Sequence, residues 1–301
     1  MLGDLRLFLT FTYHGVPIFL KLVAYVAVMT VGNSKSHYAL GSSDAEHERL
    51  IRQAAWLVTH TERLFRKAGI GPGQRVLDVG SGVGDVALIA AQMVGPTGEV
   101  VGMERDARSL ARASARMTDA GLRNVTFTQS DLAQIPGGTP FDAVVGRYIL
   151  CFLPDPAAVL RSLSRVVRPG GVLAFQEPDW RHFLKHAARM PLWSAGASLL
   201  VETFRRSGMN TELGPALSRV FWEAGLSAPS TWSDTLVGSE RWLPDCLHSV
   251  RPSMEQLNIS IDRLGDFETL SERLQAEVNA SNTTTPLPDL ASAWSRKPAG
   301  S

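Results

Sequence analysis

Cysteine is nearly absent: Cys151 and Cys246 are the only two in 301 residues. They support neither a disulfide framework nor a zinc-ligand spacing. Lysine is almost as scarce, standing only at Lys21, Lys35, Lys67, Lys185 and Lys297. Arginine takes its place, which reads as the coding bias of a GC-rich, bacterial genome. Net charge is +1. The chain therefore lacks the broad basic face that a phosphate backbone demands, and no nucleic-acid partner is expected. It also lacks an apolar run of the roughly 20 residues that span a bilayer. Residues 7–20 and 22–31 are apolar, but Lys21 divides them and His14 and Pro17 interrupt the first. No small-residue cleavage site follows them, so a secretory signal is weak. Residues 1–32 form an apolar extension with three readings. It is an interfacial anchor, a packed extension, or a start-site artefact with Met29 as the true first residue. Membrane association is expected only through residues 1–31, and the site of action is expected to be cytoplasmic.

What is present is ordinary for a folded protein: 45% hydrophobic and 20% charged residues. Ser43-Asp44-Ala45-Glu46 is a capping box. It predicts a helix to about Lys67, with Leu50, Ala54, Leu57, Thr61, Leu64 and Phe65 on one face. Apolar runs near 74–79, 99–104, 125–129, 141–147 and 171–177 alternate with helical or loop segments. That alternation predicts a parallel sheet with right-handed crossovers. The helix near 106–120 ends at Gly121, and the one near 155–168 opens on Asp155-Pro156, a cap followed by a first-turn proline. After Glu177 the composition shifts, and six of the seven tryptophans lie there. Residues 213–225 read as a helix, 230–237 as a strand and 289–297 as a last strand. The organisation is a helical cap over 33–70, a core over 71–180, and a C-terminal half over 181–301. That half carries helical insertions near 181–212 and 240–280.

The chemistry concentrates in one unit. Arg75 to Val79 reads as a buried strand, and Gly80, Gly82 and Gly84 follow at spacing two. Val86, Ile89, Ala90 and Met93 then recur at helical spacing. Glycine leaves no Cβ and lets a ligand approach the backbone, and a helix start offers free N–H groups. Glu104 lies about twenty residues past the loop, where an acid accepts ribose hydroxyls. Nicotinamide and flavin enzymes use a similar turn, but with G-x-G-x-x-G. Here Asp85 stands at the third glycine of that pattern, and Asp78 precedes the first glycine by two.

This segment resembles motif I of the class I S-adenosylmethionine-dependent methyltransferases, and the resemblance continues in order along the chain. Ser130-Asp131-Leu132 is similar to the adenine-contacting acidic motif. Phe141-Asp142-Ala143-Val144-Val145 is similar to the fourth strand, and Arg168-Pro169-Gly170-Gly171 to the turn into the fifth. The resemblance covers roughly residues 70–180, and the general similarity is to the ubiquinone/menaquinone C-methylase-like small-molecule group. It implies an α/β fold: a Rossmann-like, seven-stranded, mostly parallel sheet in the order 3-2-1-4-5-7-6. The last strand would be antiparallel, with helical insertions over the substrate side. It implies S-adenosylmethionine as cofactor. Asp78, Gly80, Gly82 and Gly84 would surround its methionine part, and Arg147 would lie beside the methionine carboxylate. Glu104 would hold the ribose hydroxyls, Arg105 would stack near the adenine, and Asp131 and Leu132 would contact the adenine.

Methyl transfer from a sulfonium is an in-line displacement, so the protein's part is alignment and exclusion of water. No dedicated base is required unless the nucleophile must lose a proton early. His182, in Glu177-Pro178-Asp179-Trp180-Arg181-His182, is the one weak catalytic candidate. His182 and His186 stand four apart, but a metal site is not expected. Glu177 and Asp179 are read as shaping the rim or capping the next helix. The tail's tryptophans suggest a small apolar or aromatic methyl acceptor, although such residues also simply fill cores. Arg147-Tyr148-Ile149-Leu150 lacks the Asn-Pro-Pro-aromatic motif of adenine and glutamine amino methyltransferases. Two cysteines are too few for the arsenite-methylating branch. Two alternatives stay open: a non-catalytic S-adenosylmethionine-binding protein, and a nicotinamide-dependent oxidoreductase on a related fold.

Overall fold

Val76, Leu77 and Val79 have lost all contact with solvent, as a strand covered on both faces must. They belong to β1 (Arg75–Val79), inside a seven-stranded sheet. The computed structural model describes residues 39–299 apart from 133, 136–137 and 187–189. It also describes a two-residue antiparallel ladder, Thr12–Tyr13 with Val16–Pro17, in a separate unit that ends at His37. The readings of residues 1–32 otherwise lie outside the described residues.

The strands β2 (Glu99–Glu104), β3 (Val125–Gln129), β4 (Phe141–Arg147) and β5 (Val167–Asp179) all run parallel to β1. After β6 (Ser230–Asp234), β7 (Asp289–Arg296) inserts antiparallel between β5 and β6. The spatial order is 3-2-1-4-5-7-6 with β7 reversed, the expected topology.

Before and between the parallel strands come α1 (Asp44–Ala68), α2 (Asp85–Val94), α3 (Ala107–Asp119) and α4 (Pro156–Val166). Polar side chains start three of them. Ser43 Oγ accepts from Glu46 N at 3.2 Å, Asp106 from Ser109 N at 2.8 Å, and Asp155 from Ala158 N at 2.8 Å. Such caps are worth about 1 kcal/mol each. The later segment holds α5 (Trp180–His186), α6 (Pro191–Arg206), α7 (Leu213–Glu223), α8 (Trp242–Gln256) and α9 (Leu270–Ser281). No helix of the described residues is long and apolar enough to cross a membrane.

The two-residue period of a strand sorts the core. Val76, Val100, Ala143, Val145, Val172 and Ala174 pack with Leu64 and Phe65 of α1 and with Ala87 and Ala90 of α2. Leu77, Val79, Val144, Leu173 and Phe175 pack into a larger cluster with Leu160 and Leu163 of α4, Phe221 of α7 and the later helices.

Two details differ from the sequence reading. Arg168-Pro169-Gly170-Gly171 does not precede the fifth strand but bulges within it. Phe141 pairs with Val167 and Ala143 with Val172, so five residues of β5 answer two of β4. Proline cannot donate to the ladder, and Gly170 has a φ of 74°, so this stretch leaves the register without ending the strand. The strand expected over 230–237 breaks at Asp234. Val237–Gly238 pairs instead with Thr285–Pro286 in a separate short ladder.

Candidate functional site

The glycine turn, Glu104, the segment after β3 and Arg147 all stand at the C-terminal ends of four adjacent parallel strands. Ligands in open α/β sheets bind at that end. The three glycines serve different ends. Gly84 has a φ of 84°, and a Cβ there would meet Ala113, Met117 and Phe127 at 3.1–3.3 Å. It lets α3 and β3 close onto the turn. A Cβ at Gly80 would strike the Ile149 side chain at 2.6 Å. Gly82, with a φ of 50°, is the one of the three whose Cβ would meet nothing of the described residues within 4 Å. Its N–H donates to Glu104 Oε2 at 3.1 Å, while Glu104 Oε1 accepts from Arg105 N at 2.8 Å and Asp106 N at 3.0 Å. The carboxylate is therefore aimed by backbone on both sides. Arg116 of α3 adds a clamp, donating to Val83 O and, at 2.7 Å, to Asp85 Oδ1.

Ser130 N donates to Glu104 O at 3.0 Å, which draws the segment after β3 toward Glu104. Asp131 is exposed there and Leu132 is half-buried against the larger core. Arg105 is exposed beside them, and Gln129 Nε2 donates to its carbonyl at 3.1 Å.

Asp78 sits deeper. It is 1% exposed, and among the described residues its Oδ2 has no hydrogen-bond partner. Burial pushes its pKa up to about 8, opposed by Arg147 and the Ala87 N–H. A buried carboxylate oxygen without a partner is rare and costly, and a cationic or hydroxylic ligand group would complete it. Ser81 Oγ in the same turn is also buried and has no partner among the described residues. Arg147 donates to Thr61 Oγ1 of α1 at 2.9 Å. Thr61 donates in turn to Gln176 Oε1 at 2.8 Å, and Gln176 Nε2 to Ser292 Oγ at 3.1 Å. This chain of bonds ties α1 to β4, β5 and β7. Thr61 looked like one more residue of an apolar helix face; Gln176 gave a fainter signal as a polar residue inside an apolar run.

Glu177 does not shape a rim. Fully buried, it accepts from Leu150 N at 2.8 Å, Ile149 N at 3.1 Å and Cys151 N at 3.3 Å. It thus caps the turn after β4. Burial raises its pKa to about 7 against those donors. Asp179 does cap the next helix, accepting from Arg181 N at 3.1 Å. His182 lies half-exposed on α5, with Nδ1 3.0 Å from Asp289 Oδ2. The described side chains include no cluster of three potential metal ligands, and the side chain of His186 lies outside them.

Comparisons with known proteins agree with this arrangement. Residues 70–210 match a family model described as a methyltransferase domain. The ubiquinone/menaquinone biosynthesis C-methyltransferase of Ectopseudomonas mendocina is 39% identical over 116 residues, 37% of this chain and 45% of that protein. The aklanonic acid methyltransferase of a Streptomyces species is 37% identical over 111 residues, 36% of this chain and 50% of that protein. The matched stretch thus spans about half the length of these curated relatives. Among solved structures, the YcgJ protein of a Bacillus species shares the fold. Its TM-score is 0.53 at 17% identity, covering 80% of this chain and all of that one. The similarity is thus to methyltransferases, and the matching family model covers a little under half of this chain.

Proposed function

We propose that this protein transfers a methyl group from S-adenosylmethionine to a small, apolar or aromatic acceptor. The observation that carries the reading is the orphaned, buried Oδ2 of Asp78 beside Arg147 and under the glycine turn. When bound, the cofactor supplies an activated methyl group on a positive sulfur. Asp78 offers its free oxygen to the amino end of the methionine part, and Arg147 offers its guanidinium to the carboxylate. Gly80 and Gly84 hold the turn in shape, while Gly82 leaves its surface clear. Glu104, aimed by three backbone N–H groups, accepts the ribose hydroxyls. Arg105, Asp131 and Leu132 border the adenine. Thr61 of α1 holds Arg147 at the end of β4. The chain's own contribution is thus orientation and exclusion of water. A cytoplasmic site of action belongs to the same reading and rests on the ordinary composition.

The test is titration calorimetry with S-adenosylmethionine, S-adenosylhomocysteine and NADH. Micromolar binding of the first two, weakened by Glu104→Ala, is expected. Failure of both to bind folded protein overturns the reading, and binding of NADH instead points to hydride chemistry. His182→Ala is expected to leave turnover within about threefold, because its ring is half-exposed and engaged by Asp289. A hundredfold fall in kcat would make it a base after all.

A further inference from the structure

One row of polar side chains crosses an otherwise apolar face of the sheet. Arg147 ends β4, Gln176 stands opposite it on β5, and Ser292 stands opposite Gln176 on β7. One step down the same face, the row is Val145, Ala174 and Trp294. Helix α1 repeats the change. Leu64 and Phe65 pack on the apolar rows, and Thr61, one turn earlier, meets the polar one. Thr61, Gln176 and Ser292 are each 1% exposed.

Stability does not call for this row. Valine in place of Thr61, leucine for Gln176 and alanine for Ser292 would continue the packing beside them. Exchanging hydrogen-bonded partners for apolar groups of like shape is close to neutral, whereas a buried amide or hydroxyl is costly unless it is matched.

Here the matching has a direction. The His60 carbonyl can only accept, so it sets the Gln176 NH2 on its side, at 3.4 Å; the same NH2 donates to Ser292 Oγ at 3.1 Å. The Gln176 oxygen is left facing Thr61, whose hydroxyl donates to it at 2.8 Å. A hydroxyl has one proton to give. With that proton committed, Thr61 Oγ1 meets Arg147 Nη1 as an acceptor, at 2.9 Å. Among the described residues, Thr61 is the one hydrogen-bond partner of the half-buried Arg147 guanidinium, and a guanidinium carries several more donors in a rigid fork. Arg147 is thus held by one nitrogen, with the rest of its fork uncommitted. Its charge also reaches Asp78, whose Oδ2 lacks a partner among the same residues.

We propose that Gln176 and Thr61 are positioning residues for the carboxylate of the cofactor, holding Arg147 by one nitrogen so that its remaining donors are fixed in advance for that carboxylate. The proposal rests on the S-adenosylmethionine reading above and adds how the chain tells a ligand with a carboxylate from one without. Gln176 acts through Thr61, and Thr61 through Arg147. A long side chain loses rotamer freedom when it binds, and fixing it beforehand removes that loss.

The test compares two ligands on the full chain by titration calorimetry. One is S-adenosylhomocysteine. The other is decarboxylated S-adenosylhomocysteine, which keeps the amine that Asp78 serves. The native protein should favour the first by roughly thirtyfold, as a charge-assisted fork implies. Thr61→Val should weaken the first ligand about tenfold and Gln176→Met about fivefold, each leaving the second within about twofold. Thr61→Ser keeps the hydroxyl and should restore the native preference. Equal loss of both ligands in Thr61→Val would mean a structural role alone and overturn the proposal. So would an unchanged preference in Thr61→Val or Gln176→Met, or no recovery in Thr61→Ser. Melting temperatures show whether the variants fold; the two Thr61 variants decide if Gln176→Met does not. Equal binding of both ligands to the native protein removes Arg147 from the carboxylate and overturns the proposal, while the cofactor reading stands. Failure of both to bind is failure of the cofactor reading, and the proposal falls with it.

Discussion

Asp78→Asn is expected to make the ligand-free protein more stable and to weaken S-adenosylmethionine binding about a hundredfold. The carboxyl has a pKa of about 8 in the fold against 3.8 when unperturbed, because burial disfavours its charge. The folded state therefore holds a proton at pH 7 that the unfolded chain releases. Every tenfold difference in proton affinity between the two states is worth about 1.4 kcal/mol. The sign follows directly: stability falls as pH rises from the unfolded value through the folded one. An amide removes that penalty but leaves an NH2 to be satisfied, so the net gain is about 2 kcal/mol. Binding moves the other way, because a charged ligand amine needs the ionised carboxylate, and losing that pair accounts for the hundredfold. In the native protein, affinity should rise up to tenfold between pH 6 and pH 7 as Asp78 becomes easier to ionise. Calorimetry in two buffers of different ionisation enthalpy would register the released proton. Unchanged affinity in the Asn variant, or binding without proton release, would remove Asp78 from the cofactor site.

The second large effect is expected at Glu177. Glu177→Ala leaves the N–H groups of Ile149, Leu150 and Cys151 without their acceptor in a closed part of the molecule. The expected loss is about 3–5 kcal/mol, a large share of a typical domain's stability. Urea denaturation followed by far-UV circular dichroism measures it. Glu177→Gln should fall between, since its amide oxygen still serves two donors while its NH2 opposes the third. Near-native stability of the Ala variant would show that water replaces the carboxylate and that the turn after β4 needs no internal cap. Glu177 and Asp78 both have raised values, so both subtract stability as pH climbs toward 7 and 8. Asp106, Asp142 and Asp234 are held below the usual carboxylate range by their hydrogen bonds, against the opposing effect of burial. Their contribution disappears as pH falls below that range. The free protein should therefore be most stable on the acid side of neutrality.

The sheet was legible in the sequence because each motif carries its own geometry. The Asp78-to-Gly84 turn reports a strand, a left-handed backbone and a helix start in seven residues, and Phe141–Val145 and Val172–Glu177 are apolar runs of strand length. Strand order followed from the resemblance. What escaped was the polar underside of α1. Glu46, His47 and Arg49 look like a solvated first turn, yet all three are buried and Leu50 is only half so. Arg49 forks onto Glu46 at 2.7 Å and reaches Gln53 at 2.8 Å, while His47 meets Ser109 of α3 at 3.2 Å. A pattern of apolar residues cannot reveal a helix face whose buried contacts are polar, some within the same helix and others, such as Ser109 and Cys246, far along the chain. Glu177 was misplaced for a related reason: its three partners are backbone groups, which leave no mark on a sequence.

The position of β7 has a consequence for how the chain is made. It is the last of the seven strands to leave the ribosome, yet it occupies an interior slot between β5 and β6. Until it arrives, the thirteen-residue β5 presents a long, apolar, unpaired edge, the kind of surface that recruits other chains. The nascent protein must shelter that edge through the synthesis of more than a hundred further residues, about 5–20 seconds at the usual pace. Helper proteins that shield half-made sheets would find their strongest hold on this molecule in that interval, before its final strand closes the gap.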